Sequence, residues 1–436
     1  MEINRSALSQ LQTWLNSKTR KPLILQGARQ VGKTWLLKKF GALCFENIAY
    51  FNFDEQPELK QFFEQTKDIQ RLLSNLTLIN GKPIEPQKTL VFFDEIQECN
   101  DALNSLKYFC ENAPEYAVVC AGSLLGVTLA RGASFPVGKV EFMTIYPFTF
   151  SEFLQSADPR LADYLASIRT IEPIPDLFFN QLIDHYKMYF LSGGMPEAIL
   201  ALLDHKDVEL TQRVLKNILD AYSLDFSKHA DKATIPKIAL LWNSIPSQLS
   251  RENKKFIYQT VKQGARTREY EDALSWLLQA GLIHKIFCCK KPGLPLSAYD
   301  DLSAFKIYMS DVGLLRRFSA LDPVAIREGN RLFTEFKGAL TENYVLQSLL
   351  TQFEVTPRYW TSGNQAEVDF IIQVGNEIVP VEVKADENVA GKSLNVYDKQ
   401  FSPKRRLRYS LKNLKQDGNL LNIPLFMVDN TKQFLA

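Results

Sequence analysis

Two sets of residues carry reactive side chains at spacings that could do chemistry. The first is Gly27, Gly32, Lys33 and Thr34 in the run GARQVGKT, with Asp94 and Glu95 farther along in FFDEIQE. The second is Glu342, Asp369, Glu382 and Lys384, in TENYV, EVDFI and VEVKA. In the first set, two glycines let the backbone fold so that successive N–H groups face phosphate oxygens. The cradle is Gly27, Ala28, Arg29, Gln30, Val31, Gly32, Lys33 and Thr34. Lys33 can reach the β- and γ-phosphates, and the Thr34 hydroxyl can ligate Mg²⁺. A carboxylate at Asp94 can hold the same Mg²⁺ through water, and Glu95 can polarise an attacking water. No N-K-x-D follows a strand, so ATP is favoured over GTP. The structural alternative is a chance glycine loop followed by two solvated acids.

The second set has a D…E-x-K spacing plus an acid on a helix. Three carboxylates and a lysine converging on a half-buried place are costly without a metal or internal pairing. With Mg²⁺ on Asp369 and Glu382, Lys384 would orient or activate water, and the metal would stabilise the leaving oxygen of a phosphodiester. Glu342 completes the catalytic candidates, which are Glu95, Lys33, Glu342, Asp369, Glu382 and Lys384. The competing reading is an inert fold in which Glu382 and Lys384 form an ion pair.

The elements that position these residues follow from pattern. A short apolar strand at Leu23–Leu25 leads into the glycine loop, and the helix-like run WLLKKFG follows, which is the context this loop requires. LVFF (90–93) reads as a buried strand ending at Asp94, IAYFNFDE (48–55) as another, and YAVVCAGS (116–123) as a third. Ser123, at the end of that third strand, could sense a γ-phosphate or simply make a turn. From about residue 160 the spacing becomes helical, in LFFNQLIDHYKMYFLSGG and ELTQRVLKNILDAYSLDF, with Gly193 and Gly194 as a break. Residues 235–310 predict three helices and a two-stranded wing, HKIFCCKKPG and FKIYMSD. On a DNA-binding reading, Lys254, Lys255, Arg266 and Arg268 would face phosphates. The acids Glu252, Glu269, Glu271 and Asp272 among them suit a structural or protein-binding module equally well.

In the last quarter, KGALTENYVLQSLLTQF predicts a helix with Glu342 on its core-facing stripe. QAEVDFIIQ and IVPVEVKA predict a hairpin turning at Gly375–Asn376, bringing Asp369 near Glu382 and Lys384. KSLNVYDKQFSPKRRLRYSLK (392–412) is locally basic, and reads as either a phosphate-facing stretch or a solvated face with an amphipathic strand.

Taken together, GARQVGKT, FFDEIQE, CAGSLLGV, SFPVGKVEFMTIYPFTFSEFL and LSGGMPEAI resemble a large bacterial and archaeal family. Its members join an AAA-type ATPase to a C-terminal half of unassigned function, and the resemblance runs over nearly the whole chain. It implies that Lys33 and Thr34 are Walker A residues, Asp94 and Glu95 Walker B, and Ser123 sensor 1. Where members often carry an arginine this chain has Lys139, so Arg131 and Lys139 are the candidates for a cation acting on a neighbouring subunit. Ala28 stands where the family often has proline. The D…E-x-K set resembles the PD-(D/E)XK nuclease-like fold.

Composition sets the outer bounds. At 436 residues, several domains are expected, and a formal charge of +2 gives no global signal for nucleic acid or membrane. No two of the six cysteines make a C-x-x-C pair, and His185, His205, His229 and His284 are isolated, so zinc and a disulfide framework are not expected. The first residues are amphipathic rather than signal-like, and no apolar run is long enough to span a bilayer. The expectation is a cytoplasmic α/β protein without a membrane partner. It has a P-loop AAA-type core with a parallel sheet (1–158), a helical lid (159–230), a winged-helix-like part (231–320) and a C-terminal α/β nuclease-like domain (321–436). ATP and Mg²⁺ are the expected cofactors, DNA or RNA and a second copy the candidate partners. The lead reading is an ATPase whose nucleotide state controls the C-terminal module. The alternatives are a nucleotide-dependent protein-binding switch with an inactive nuclease fold, and a winged-helix DNA-binding regulator.

Overall fold

The computed structural model describes residues 3, 5–130, 134–251, 254–328, 334–363, 366–385 and 391–435. Arg131 and Glu252 therefore lie outside the described residues. The chain divides into two compact units. One is Arg5–Tyr146 with Gln279–Gly281, and the other is chiefly Pro147–Leu278 with Leu282–Ala436.

The first unit is built on five parallel strands: β1 (Leu23–Gln26), β2 (Asn47–Asn52), β3 (Thr89–Asp94), β4 (Ala117–Ala121) and β5 (Glu141–Thr144). Their order is β2-β3-β4-β1-β5. Parallel neighbours need crossovers, and helices such as Lys33–Cys44, Ile69–Asn80 and Asn100–Asn112 supply them. Covered on both faces, β3 and β4 are buried along their whole length, which is why they read as continuous apolar runs. Phe51, Phe53, Phe63, Phe93 and Phe109 pack edge-on and tilted against one another on one side of the sheet. The parallel register sets Asn52 beside Asp94 at the carboxyl edge.

The second unit combines helices with a mixed sheet of eight strands. These are β6 (Ile283–Cys288), β7 (Asp301–Met309), β8 (Arg358–Thr361), β9 (Glu367–Val374), β10 (Glu377–Val383), β11 (Arg406–Ser410), β12 (Lys415–Asp417) and β13 (Leu420–Pro424). The order is β12-β13-β11-β10-β9-β8-β6-β7. The strands expected as a wing, β6 and β7, do pair antiparallel, and they also join this sheet through Cys288 opposite Tyr359. Three helices precede them, Ile235–Leu249, Tyr258–Val261 and Thr267–Gln279, the middle one a single turn. The basic stretch 392–412 is a solvated face with an amphipathic strand, the second of its two readings: Lys392, Lys399, Lys404 and Lys412 are exposed, and β11 alternates in burial. It forms the helix Ser393–Phe401 and the interior strand β11, with Leu407 and Tyr409 buried. Three of its cations pair locally: Lys404 and Arg405 with Glu377, and Arg406 with Asp398.

Gly193 and Gly194 do more than break a helix. Gly193 takes φ +62°, and a Cβ there would overlap the Asp311 carboxylate. The Gly194 amide donates to Asp311 Oδ2 at 2.6 Å, and Asp311 Oδ1 caps the helix Val312–Phe318 through the Leu314 amide at 2.8 Å. Burial pushes the Asp311 carboxyl up to about 6. From that helix, buried Arg316 donates to the Phe190, Leu191 and Leu321 carbonyls and to Gln212 Oε1. Phe190 and Leu191 end the helix Asp176–Ser192, where a cation complements the unpaired carbonyls. Arg316→Met would strip several buried carbonyls of donors at once. It is expected to cost about 3–5 kcal/mol in denaturant unfolding, and a loss under about 1 kcal/mol would contradict this account of the packing.

Candidate phosphate-binding site and a buried acidic cluster

The loop after β1 is shaped by positive φ angles at Gly27 (145°), Gln30 (65°) and Gly32 (91°). A Cβ at Gly27 would overlap the Ile145 carbonyl, so the loop can lie against that backbone only with glycine there. Gly32 is the N-cap of the helix Lys33–Cys44, whose first amides face outward without side-chain caps. Lys33 Nζ donates back to the Gly27 and Ala28 carbonyls, at 2.9 and 2.8 Å. Its ammonium therefore sits across the mouth of the loop. Burial lowers its pKa to about 8, against the opposing pull of Glu95 and Asp94 and with a smaller push from Arg29.

Asp94 ends β3 and is buried. Its Oδ2 accepts from Thr34 Oγ1 at 2.9 Å and from the Tyr50 hydroxyl at 3.0 Å. Tyr50, on β2, was not singled out in the sequence; β2 running beside β3 brings it there. Burial and then Asp94 raise the Tyr50 hydroxyl pKa, keeping it a donor. Glu95 is left-handed, φ 49°, a strained conformation for a non-glycine residue. Its Oε2 accepts from Gln97 Nε2 at 2.5 Å. Gln97, a second residue not read from the sequence, thus fixes one oxygen of Glu95. Ser123 follows β4, the strand between β3 and β1, at the same carboxyl edge of the sheet. Lys139 is paired with Glu111 at 2.8 Å within its own chain.

The site fits a magnesium-bound triphosphate on two structural grounds. The loop is closed to side chains at Gly27, leaving its backbone to meet the ligand. Thr34 Oγ1 and Asp94 Oδ2 also come from different elements to within 2.9 Å, close enough for one hard cation and its water shell to engage both.

Residues 19–154 match the model of an AAA domain. This part of the chain thus has an AAA-type ATPase fold, and the α/β architecture expected from the sequence is found. Residues 183–325 and 337–426 match two domains of unknown function, DUF8612 and DUF4143. No curated protein matches the chain. Among solved structures it is similar to the Walker-type ATPase of Pyrococcus abyssi, at 14% identity over 73% of this chain and 96% of that one, with a TM-score of 0.45. It is also similar to Aeropyrum pernix Orc1 in complex with DNA, at 13% identity over 74% and 94% of the two chains and a TM-score of 0.26. A third likeness is to the Thermotoga maritima RuvB branch migration motor, at 14% identity over 66% and 90% and a TM-score of 0.29.

In the other unit, the hairpin of β9 and β10 turns at Gly375, φ 57°, as expected. Asp369 and Glu382 are the positions after its last register pair, Phe370 with Val381. Glu342 enters from the helix Thr334–Gln352. Glu382 is buried deeper than the half-exposed face the alternation suggested, at only 3% exposed, because helices cover β10; Glu342 is buried as expected, and Asp369 is half-buried. The charge a metal was expected to offset is met by lysines. Lys254 pairs with Glu342, Lys306 with Glu367, and Lys384 Nζ with Glu382 Oε1 at 3.1 Å. Lys254, which would face phosphates on the DNA-binding reading, is instead mostly buried and paired with a carboxylate. Tyr308 donates to Glu342 Oε2 at 3.3 Å, and the Val383 amide donates to Asp369 Oδ2 at 2.7 Å. The backbone of Gly391 lies so close to Glu382 that a Cβ there would overlap its carboxylate.

Burial, reinforced by Glu342, pushes the Asp369 carboxyl up. Burial pushes Glu342 the same way, but Lys254 and Lys306 outweigh it and hold Glu342 low. Among the described residues no group of three or more His, Cys, Asp or Glu side chains is arranged to hold a metal ion. Arg266 and Arg268 remain exposed.

Two substitutions separate these roles. Lys254→Met leaves Glu342 charged and under-paired, and is expected to cost about 3–5 kcal/mol of unfolding free energy. Asp369→Asn keeps an acceptor for the Val383 amide and is expected to cost under about 1 kcal/mol. A raised native pKa means the folded protein holds that proton more tightly than the unfolded chain. Wild type therefore loses stability relative to Asp369→Asn as pH rises above the ordinary carboxylate range. Unfolding curves at several pH values check both, and a large penalty for Asp369→Asn that grows with pH would contradict the charge assignment.

Proposed function

We propose that this protein binds and hydrolyses ATP at the loop of residues 27–34. The observation that carries the reading is the meeting of Thr34, Asp94 and Lys33 at one carboxyl edge of a parallel sheet, in a region that matches an AAA domain. The loop amides and Lys33 would bind the phosphates, with Lys33 exchanging its two carbonyl partners for phosphate oxygens. Mg²⁺ on Thr34 Oγ1, and through water on Asp94, would neutralise charge developing on the phosphates. Glu95, clamped through Oε2 by Gln97, keeps its other oxygen to orient a water and take its proton. Ser123, just after β4, would sense the γ-phosphate, and a second copy of the chain would supply any cation the site lacks.

Lys33→Ala is expected to abolish nucleotide binding in calorimetry. Glu95→Gln is expected to bind ATP as wild type does while hydrolysis stops, and retained turnover would remove Glu95 from this role. Because the Lys33 pKa lies at about 8 and only its ammonium attracts phosphate, affinity for ADP should fall as pH rises through about 8. The fall should be about tenfold per pH unit until the complex's own, higher pKa is reached.

For the C-terminal unit, the lysine pairing favours the switch reading over the nuclease one. Lys254 occupies Glu342, and Lys384 is spent on Glu382 rather than left to activate water. We therefore assign this unit a nuclease-like fold retained for binding. The expected result is no cleavage of single- or double-stranded DNA or RNA with Mg²⁺ or Mn²⁺, with or without ATP. Cleavage that Asp369→Ala eliminates would overturn that assignment and restore the nuclease reading.

A further inference from the structure

Trp35 follows Thr34 directly, in the first turn of the helix that begins at Lys33. It is 43% exposed, whereas Trp14, Trp242, Trp276 and Trp360 are all buried. Leaving so large an apolar ring in water forfeits a substantial burial energy. The helix has an inner face available for such a residue, and it is filled by Leu36, Leu37 and Phe40 instead. The Lys39 ammonium, one turn on, lies 5.0 Å from the Trp35 ring centroid, a cation–π contact that restrains the ring.

The position suits one part of a nucleotide. A triphosphate seated in the loop points its terminal phosphate toward Lys33, Thr34 and the buried Asp94. Its nucleoside end must then lead away from those carboxylates, past the start of the helix and toward solvent. The exposed aromatic ring at that start is Trp35.

We propose that Trp35 is the stacking platform for the nucleotide base, and so sets the preference of the site for a nucleoside triphosphate over triphosphate alone. This rests on the nucleotide reading of the loop. A planar ring supplies dispersion and π-contact to any base, more to a purine than to a pyrimidine because more area is covered. Trp35 thereby contributes base affinity without hydrogen-bond readout, leaving phosphate recognition to the loop and Lys33.

The test uses the full chain, with ADP, CDP and inorganic tripolyphosphate as probes, each with Mg²⁺, read by calorimetry and by tryptophan fluorescence. Trp35→Ala is expected to weaken ADP by roughly 10- to 100-fold, with affinity for tripolyphosphate unchanged. Trp35→Phe is expected to recover most of the loss, and CDP to lose less than ADP. In wild type, ADP should change the emission of the exposed tryptophan and tripolyphosphate should not. Retained tripolyphosphate binding in Trp35→Ala also shows that the loop is folded. If Trp35→Ala binds ADP as wild type does, or loses both ligands equally, the stacking role is overturned while the phosphate site stands. If wild type binds neither ADP nor tripolyphosphate, the nucleotide reading itself fails, and this inference with it.

Discussion

The hydrogen bond between Thr34 and Asp94 ties the phosphate-binding half together. It joins the first turn of a helix to the end of a strand far along the chain, and it exists only because β3 lies in the interior of a parallel sheet with its carboxyl end beside the loop. A carboxylate buried there must be satisfied, and two hydroxyls from different elements do so. The loop, β2 and β3 are thus held in register by the same atom that would organise a cation. Glu95 follows Asp94 in a left-handed conformation and is steadied by Gln97, so the two carboxylates do different work although they are adjacent in sequence.

The second unit obeys the same constraint with a different outcome. A cluster of buried carboxylates can be stabilised by a metal, by protonation or by paired cations. Here three lysines take most of the charge, and burial beside Glu342 moves Asp369 toward its neutral form. Two of those lysines arrive from elements outside the β9–β10 hairpin: Lys254 from the segment after a helix and Lys306 from β7. Pairing across elements of this kind fixes geometry more than it adds stability, since replacing such pairs with apolar groups is often neutral.

Much of this was legible in the sequence where one local rule sufficed. The glycine loop between a strand and a helix, the apolar run ending at Asp94, the hairpin at Gly375 and the core-facing position of Glu342 each follow from periodicity or turn chemistry within a short window. What was not legible depended on long-range pairing. Tyr50 reaches Asp94 only because β2 is the neighbour of β3. The amphipathic strand around Arg406 is readable, but not that it lies as β11 between β10 and β13. Lys254 reads as one of several surface cations until the chain folds it onto Glu342. The two glycines before Met195 read as a helix stop, and nothing nearby in sequence indicates that Asp311 closes over them.

The central claim is that Thr34 and Asp94 form a cation-assisted nucleotide site. It is tested most directly by measuring ATP affinity of the full chain with Mg²⁺ and with Mg²⁺ chelated, for wild type and for Asp94→Asn. The account predicts that Mg²⁺ tightens ATP binding to wild type and that Asp94→Asn abolishes most of this difference. Equal wild-type affinity in the two conditions, or a Mg²⁺ effect untouched by the substitution, would contradict it.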